Sequence, residues 1–243
     1  MRITVVVPTF NSMKYVDECL DSVLAQTYDD MEIIVYDNES TDGTHEHLLE
    51  RKNDQFEVIS LPNIEPNGYR EAMDHVFEHS ESEYVTFISS DDYIDKNYIS
   101  NCMQTLDRSP SGIKCIQSGM VWVNEVGEVI NTSIHNYTSV EELKKLLLQH
   151  SPVNNPTVVY HRSIWPILGE CREAHFANNL VDIGVGDYDM WCGLVHRGIP
   201  IYPVNGQLGY FYRWHSEQAT WKVQENPVKY DKIIQDYWKD KWS

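Results

Sequence analysis

Over roughly its first hundred residues the chain alternates short apolar, β-branched runs with amphipathic stretches, and this alternation restricts the fold more than any other feature. Ile3 to Val7 is a continuous apolar run, and Ser12 to Gln26 follows with Val16, Cys19, Leu20, Val23 and Leu24 at the spacing of one helix face. Glu32 to Tyr36 repeats the strand signal. The turn and cap residues of "DNESTDGT" come next, and His45 to Arg51 reads as a second helix. A third pass gives a strand at Glu57 to Ser60 and a helix over Tyr69 to His79, and a fourth strand, Tyr84 to Ile88, exits through "SSDDY". Strands that alternate with helices through short loops predict an α/β fold: a mostly parallel central sheet flanked by helices, with ligands at the carboxyl ends of the strands.

Beyond residue 100 the pattern becomes mixed. Ile99 to Leu106 reads as a helix, "IKCIQSGMVWVNEVGEVI" as strands around a turn at Glu125 to Glu128, Val140 to Leu148 as an amphipathic helix and 151–186 as long loops. A helix over Tyr188 to His196 stops at Gly198. Val228 to Trp242 sets Tyr230, Ile233, Ile234, Tyr237 and Trp238 on one helical face, expected to pack onto the domain or onto the second subunit of a homodimer. Its other face mixes Asp with Lys, which disfavours membrane contact.

Nineteen Lys+Arg against 37 Asp+Glu leave a formal charge of −18, which disfavours nucleic acid and acidic membrane surfaces as partners. A small phosphorylated ligand stays compatible, because a divalent cation or a few aimed donors neutralise it locally. No stretch reaches the ~18 apolar residues of a transmembrane span. "MRITVVVPTF" reads as a strand ended by Pro8, not as a signal peptide. The cysteines at 19, 102, 115, 171 and 192 are scattered with no C-x-x-C pair, as expected of reduced thiols in a cytoplasmic protein.

The strand exits carry the chemistry. Hard cations such as Mg²⁺ or Mn²⁺ sit on one or two carboxylates plus substrate phosphate, and Asp91 and Asp92 suit that need. Successive side chains leaving a strand diverge, so one carboxylate can reach a metal while the other accepts from a ribose hydroxyl. A turn cap is the structural alternative. Asp37 ends the neighbouring strand, where it can accept a nucleobase N–H, and Asn38 adds an amide that both donates and accepts. Ser40 and Asp42 read as an ordinary helix start.

"VVVPTFNSMKYVDECLDSVLAQTYDDMEIIVYDNESTDGT", followed by "NGYREAMDHVFEHSESEYVTFISSDD", closely resembles the family 2 glycosyltransferases, inverting enzymes of the GT-A fold that use nucleotide-sugar donors. The resemblance is strong over residues 3–98 and continues more thinly to about residue 220. It implies one GT-A domain over 1–243, with a nucleotide-sugar-binding half (1–98) and a mixed acceptor-side half (99–243) that ends in a helix. Carried over by position, it sets Pro8, Thr9 and Asn11 against the nucleoside, and Asp37, with Asn38, at the base. Asp91 falls at the ribose, and Asp92 becomes the metal ligand. "NGYREAM" makes Arg70 a candidate for the diphosphate or sugar, against the alternative of an exposed arginine at a helix start.

"VGDYDMWCGLVHRG" resembles the family's E-D-x-D-L-W stretch and assigns the catalytic base to Asp187, with Asp189 in a supporting or capping role. Gly186 stands where many relatives carry Glu. "YRWHSEQAT" resembles R-x-H-x-x-N-x-S, with Gln218 and Thr220 as substitutions. Arg213 would then neutralise the leaving group, and His215 would be a further metal ligand or a diphosphate donor. An inverting transfer needs such a base opposite the leaving diphosphate.

The implied reaction is transfer of one sugar from a nucleotide-sugar, UDP-sugar first among them, to a glycan or lipid-linked acceptor in surface-glycan synthesis, in the cytoplasm or at the inner membrane face. A divalent cation, Mn²⁺ or Mg²⁺, is the implied cofactor. Processive relatives carry Q-x-x-R-W and transmembrane helices, whereas Tyr210 occupies the Gln position here. Two rival readings are a non-catalytic nucleotide-sugar-binding domain, opposed by Asp187, and a sugar nucleotidyltransferase, opposed by the absence of a Gly-rich loop in "PTFNSMKY".

Overall fold

Strand β1 (Ile3–Thr9) is apolar on both faces, and its alternation assigns each side chain to one side of a central sheet. Ile3, Val5 and Val7 join one buried cluster and Val6 the other. The computed structural model describes residues 1–62, 68–109, 112–168, 186–218 and 230–243, with backbone only for 68–71, 186 and 205. Within them β1, β2 (Met31–Asp37), β3 (Glu57–Ser60) and β4 (Tyr84–Phe87) pair in parallel, as the alternating sequence predicts. Their carboxyl ends share one edge, so the exits after Thr9, Asp37 and Phe87 come together.

The remaining strands are β5 (Tyr93–Ile94), β6 (Cys115–Val123), β7 (Val129–Ser133), β8 (Val158–His161) and β9 (Tyr202–Arg213). They extend the sheet in the order β3-β2-β1-β4-β8-β6-β9-β5, with β7 on β6. The expected long loops of 151–186 contain β8, which runs antiparallel to both β4 and β6. Four residues preceded by Asn and Pro carry no readable period, and partners distant in sequence supply the hydrogen bonds. The rest of that expectation, residues 169–185, lies outside the described residues. Long β9 also escaped the pattern, because Pro203, Gly206 and Gly209 interrupt it. It runs parallel to β6 with register shifts around Gly119, where a Cβ would stand 2.8 Å from the Leu208 side chain.

Helices α1 (Val16–Leu24), α2 (Thr44–Arg51) and α4 (Tyr98–Arg108) cover one face, contributing Cys19, Leu20, Leu48 and Ile99 to its core. The other face takes α3 (Gly68–His79), α5 (Val140–Leu147), α6 (Gly186–His196) and α7 (Tyr230–Trp242). Trp191 of α6 is fully buried and lies nearly parallel to Tyr160 of β8, with ring centroids 6.1 Å apart. Helix α7 docks onto the domain through Ile234 and Trp238, and the Trp238 indole donates to Asp189 Oδ1 at 2.6 Å. Cys19, Cys102, Cys115 and Cys192 are buried free thiols. No helix among the described residues is long and apolar enough to cross a membrane.

Fully buried Tyr210 ties the two halves of the sheet at the binding edge. Its hydroxyl donates to Asp92 Oδ2 at 2.7 Å and accepts the Ser89 N–H at 3.2 Å. Tyr210→Phe keeps the ring but leaves a buried carboxylate oxygen without this donor, so urea denaturation is expected to show a loss of about 1–3 kcal/mol. The urea m-value should stay unchanged.

Candidate active site

The loops after β1 and β2 are closed against each other by polar side chains. Asn11 adopts a left-handed φ of 49°, its N–H donates to Ser40 Oγ at 2.9 Å, and its Oδ1 accepts the Thr41 N–H at 2.8 Å. Asp42 accepts from the Met13 N–H at 3.0 Å and from the Thr44 N–H at 3.0 Å, which agrees with its reading as a helix-start residue. Thr9, directly after Pro8 in β1, is buried, and its hydroxyl donates to the Val7 carbonyl at 3.3 Å. Thr9 and Asn11 were expected against a nucleoside. In the structure, the Thr9 hydroxyl bonds within β1, and the Asn11 side-chain oxygen holds the loop after β2.

Asp37 and Asn38 behave differently. Asp37 is 1% exposed; its Oδ2 accepts the Ser40 N–H at 3.2 Å and lies 3.1 Å from His45 Nδ1. Its Oδ1 and the Asn38 Oδ1 are both buried without a hydrogen-bond donor among the described residues. Two neighbouring acceptors left in that state mark a place where a ligand donor or an ordered water belongs.

The exit of β4 is joined to the first loop by the Ser12 and Ser90 hydroxyls, 2.6 Å apart. Asp91 and Asp92 then part company. Asp92 is 1% exposed, and its two oxygens accept from the Arg213 N–H at 2.8 Å and the Tyr210 hydroxyl at 2.7 Å. Burial, and then the Asp91 charge, push its carboxyl well above the usual range; the Arg213 N–H, the Tyr210 hydroxyl and the Arg213 charge oppose the shift. Asp91 keeps 28% of its side chain exposed, and its Oδ2 lies 2.9 Å from His215 Nε2. The expected division set the metal on Asp92 and the ribose on Asp91, and the geometry gives the two carboxylates different surroundings. Asp92 is enclosed with both oxygens taken, and Asp91 is the carboxylate that stands open beside a histidine.

Arg213, expected to neutralise a leaving group, is engaged by the protein itself. Its side chain is buried between the rings of Tyr15 and Tyr93, whose centroids lie 5.0 and 5.3 Å from the guanidinium carbon. Nε donates to the Asp91 carbonyl at 2.9 Å, Nη1 to the Glu125 carbonyl at 3.0 Å, and Nη2 forms an ion pair with Glu18. A guanidinium so engaged clamps the edge. His215 is held by the Glu217 N–H, which donates to Nδ1 at 3.3 Å, and by the Tyr15 ring at 5.0 Å. Gln218 receives the His215 N–H at 3.3 Å and donates to the Arg213 carbonyl, so the substituted position acts as a brace for the turn.

Asp187 stands half-buried in the first turn of α6. Burial pushes its carboxyl up to about 6, against hydrogen bonds from the Tyr188 N–H and its own N–H and with a smaller push from Asp231. The Tyr188 N–H lies 2.8 Å from Asp187 Oδ1. Arg70 is in the first turn of α3, but its side chain lies outside the described residues, and Thr220 lies outside them altogether. The enclosure of Arg213 by Tyr15, Glu18 and Tyr93 joins residues far apart in the chain and has no local signal. Only the run of alternating tyrosines, Tyr210 and Tyr212, hinted that β9 carries site-supporting rings.

Asp91 is a partly exposed carboxylate of the kind that suits Mn²⁺ or Mg²⁺ completed by substrate oxygens and water, whereas the imidazole of buried His215 has both ring nitrogens engaged, by Asp91 and by the Glu217 N–H. No cluster of three or more His, Cys, Asp or Glu side chains is poised for a metal among the described residues.

Comparison with known proteins gives this arrangement a context. The glycosyl transferase family 2 model matches residues 4–154. Glycosyltransferase GlyA of Streptococcus pneumoniae serotype 4 is 35% identical over 98 residues, which cover 40% of this chain and 14% of that protein. Poly(ribitol-phosphate) beta-N-acetylglucosaminyltransferase TarS of Staphylococcus aureus is 30% identical over 119 residues, covering 48% of this chain and 21% of TarS. The matches span between 14% and 37% of the length of such curated relatives. Among solved structures, S. aureus TarS 1–349 in complex with UDP superposes with a TM-score of 0.64 at 20% identity, over 98% of this chain and 69% of that one. Mannosyltransferase PcManGT from Pyrobaculum calidifontis, in complex with GDP-Man and Mn²⁺, gives 0.61 at 16% identity, over 97% and 68%. At such identities the likeness establishes the fold, and it is the GT-A α/β arrangement expected from the strand-helix alternation and the resemblance. With the family model covering more than half of the residues, the chain belongs to glycosyl transferase family 2.

Proposed function

We propose that the protein is an inverting transferase that moves one sugar from a nucleoside-diphosphate sugar, with a UDP-sugar as the leading donor, to an acceptor hydroxyl. The acceptor is a glycan or lipid-linked glycan of surface-polymer synthesis, reached from the cytoplasm. The observation that carries the donor side is the pair of buried, unmatched oxygens at Asp37 and Asn38. Uracil would give its N3–H to Asp37 Oδ1. Asn38, with its amide turned over, would donate to a ring carbonyl; amide orientation is assigned from hydrogen-bond partners, and none holds its oxygen here. The TarS complex with UDP and the PcManGT complex with GDP-Man support a nucleotide ligand in this fold.

Asp91 and His215 would hold the divalent cation, which supplies positive charge for the departing diphosphate. Asp92 holds the strand end that presents both of them. Asp187 takes the acceptor proton. With a carboxyl near 6 it is ionised at neutral pH, yet more basic than an exposed aspartate, as a general base should be. As the acceptor oxygen bonds to the anomeric carbon, its proton passes to Asp187, the bond to the diphosphate breaks, and the configuration inverts in a single displacement.

Calorimetry with UDP, GDP, ADP and CDP in the presence of Mg²⁺ tests the donor side. UDP is expected to bind most tightly, and Asp37→Ala to remove that preference; a protein that binds none of them rejects the reading. Asp187→Asn is expected to lower transfer from UDP-GlcNAc or UDP-glucose by roughly 100-fold or more, with UDP affinity unchanged. The ionised form is the active one, so the rate should fall as pH drops through about 6, by about tenfold per unit below it. In Mn²⁺ titrations Asp91→Asn should raise the concentration for half-activation by roughly 10–100-fold, the range known for disturbed metal sites. Asp92→Asn should chiefly lower stability, and the opposite pattern would return the metal to Asp92.

A further inference from the structure

Away from the donor-side clusters, a buried polar network on β6 ends at a half-buried histidine and dictates where that ring carries its proton. Gln117 is 1% exposed, and its Nε2 donates to the Tyr137 hydroxyl and to the Pro152 carbonyl, each at 2.9 Å. Its Oε1 accepts the Asn154 N–H at 2.8 Å. Asn154 Nδ2 donates to the carbonyls of Ser118 and Ser133, both at 3.2 Å, which fixes its Oδ1 as the acceptor. Ser133 Oγ lies 2.9 Å from that oxygen and has one hydrogen to give it. The next contact, His135 Nε2 to Ser133 Oγ at 3.1 Å, then has a single direction: Nε2–H donates. Neutral His135 therefore carries its lone pair on Nδ1, and no donor among the described residues takes it up.

Burial, and then the neighbouring His150, hold this ring's proton affinity below the ordinary value, against a raising hydrogen bond with Asn154. The ring is neutral at pH 7 and offers Nδ1 as an acceptor. Its place in the fold gives that acceptor a use. Because β8 runs antiparallel to β4, the residues before Val158 emerge beside the exit of β4, on the binding edge. The His150 ring is 6.3 Å from that of His135 and follows the end of α5. That end is tied to the α6 start and to α7: the Tyr188 hydroxyl donates to the Leu147 carbonyl, and Gln235 donates to the Gln149 carbonyl at 2.9 Å. Tyr188 follows Asp187, so His135 is joined by short steps to the turn that holds the proposed base.

We propose that His135 is an acceptor-binding residue, whose Nδ1 receives a hydrogen bond from a hydroxyl of a polyol or sugar. The inference rests on the transferase reading above. A neutral imidazole with a fixed tautomer selects a hydroxyl donor, and a chain of net charge −18 favours a neutral partner over an anionic one.

The test is ¹⁵N-histidine NMR of the full chain with UDP and Mg²⁺, the His135 signals being those absent from His135→Gln. The free protein should show the Nε2–H tautomer. Ribitol or methyl β-glucoside should move the Nδ1 resonance upfield while Nε2 stays in place, and His135→Gln should weaken binding of that probe by roughly five- to tenfold, the loss of one hydrogen bond. Ser133→Ala should blur the tautomer preference and weaken the same probe, with UDP affinity unchanged. An Nδ1–H tautomer, or an Nδ1 signal unmoved by both neutral probes, overturns the proposal. A response to ribitol 5-phosphate alone, with protonation of the ring, overturns it in favour of an anion site. Failure of UDP to bind in calorimetry, with the histidine response intact, would count against the transferase reading and not against the hydroxyl site.

Discussion

The buried carboxylate of Asp92 is the joint on which the donor-side geometry depends. Its oxygens receive a main-chain N–H and a tyrosine hydroxyl from β9, so the strand end bearing Arg213 and His215 is fixed to the β4 exit bearing Asp91. A carboxylate withdrawn from water is costly unless its oxygens are satisfied, and this one is satisfied on both sides. Arg213 completes the joint, because one guanidinium bridges the Asp91 carbonyl, the Glu125 carbonyl and Glu18. The enclosed members set positions, and the partly exposed Asp91, paired with buried His215, is what they position.

In the first half of the sheet β1, β2 and β4 were legible because they are largely buried on both faces and read as mainly apolar runs. Strand β8 was not, since four residues beside an Asn-Pro step are a strand only in the company of β4 and β6. The site divides in the same way. Asp37 and Asp91 could be found from their position after strands, which is a local property. Which of two adjacent aspartates turns outward is not local: it is decided by Tyr210, 118 residues away from Asp92. Arg213 shows the converse, for the sequence displays the cation and conceals Glu18, which meets it only in space. Asp187 was legible as a carboxylate at a helix start, but its raised proton affinity comes from burial that no spacing rule reports.

Charge adds a constraint on how a donor arrives. The chain carries −18 overall, and the described arginine of the site is already matched by protein acceptors. A bare diphosphate would meet repulsion with little to offset it, so under the proposed function the donor would enter as its complex with a divalent cation.

The two hydroxyls of Ser12 and Ser90, 2.6 Å apart, link the loop that carries Asn11 to the exit that carries Asp91, while Asn11 and Asp42 bind that same loop to the one beginning at Asp37. Three segments from different parts of the chain thus behave as one body. Under the proposed function, a nucleotide that ordered the base end would also order the cation end, and thermodynamic reciprocity would require the influence to run equally in the other direction. Discrimination between bases and affinity for the ion would then be a single linked property of the edge, not two independent ones.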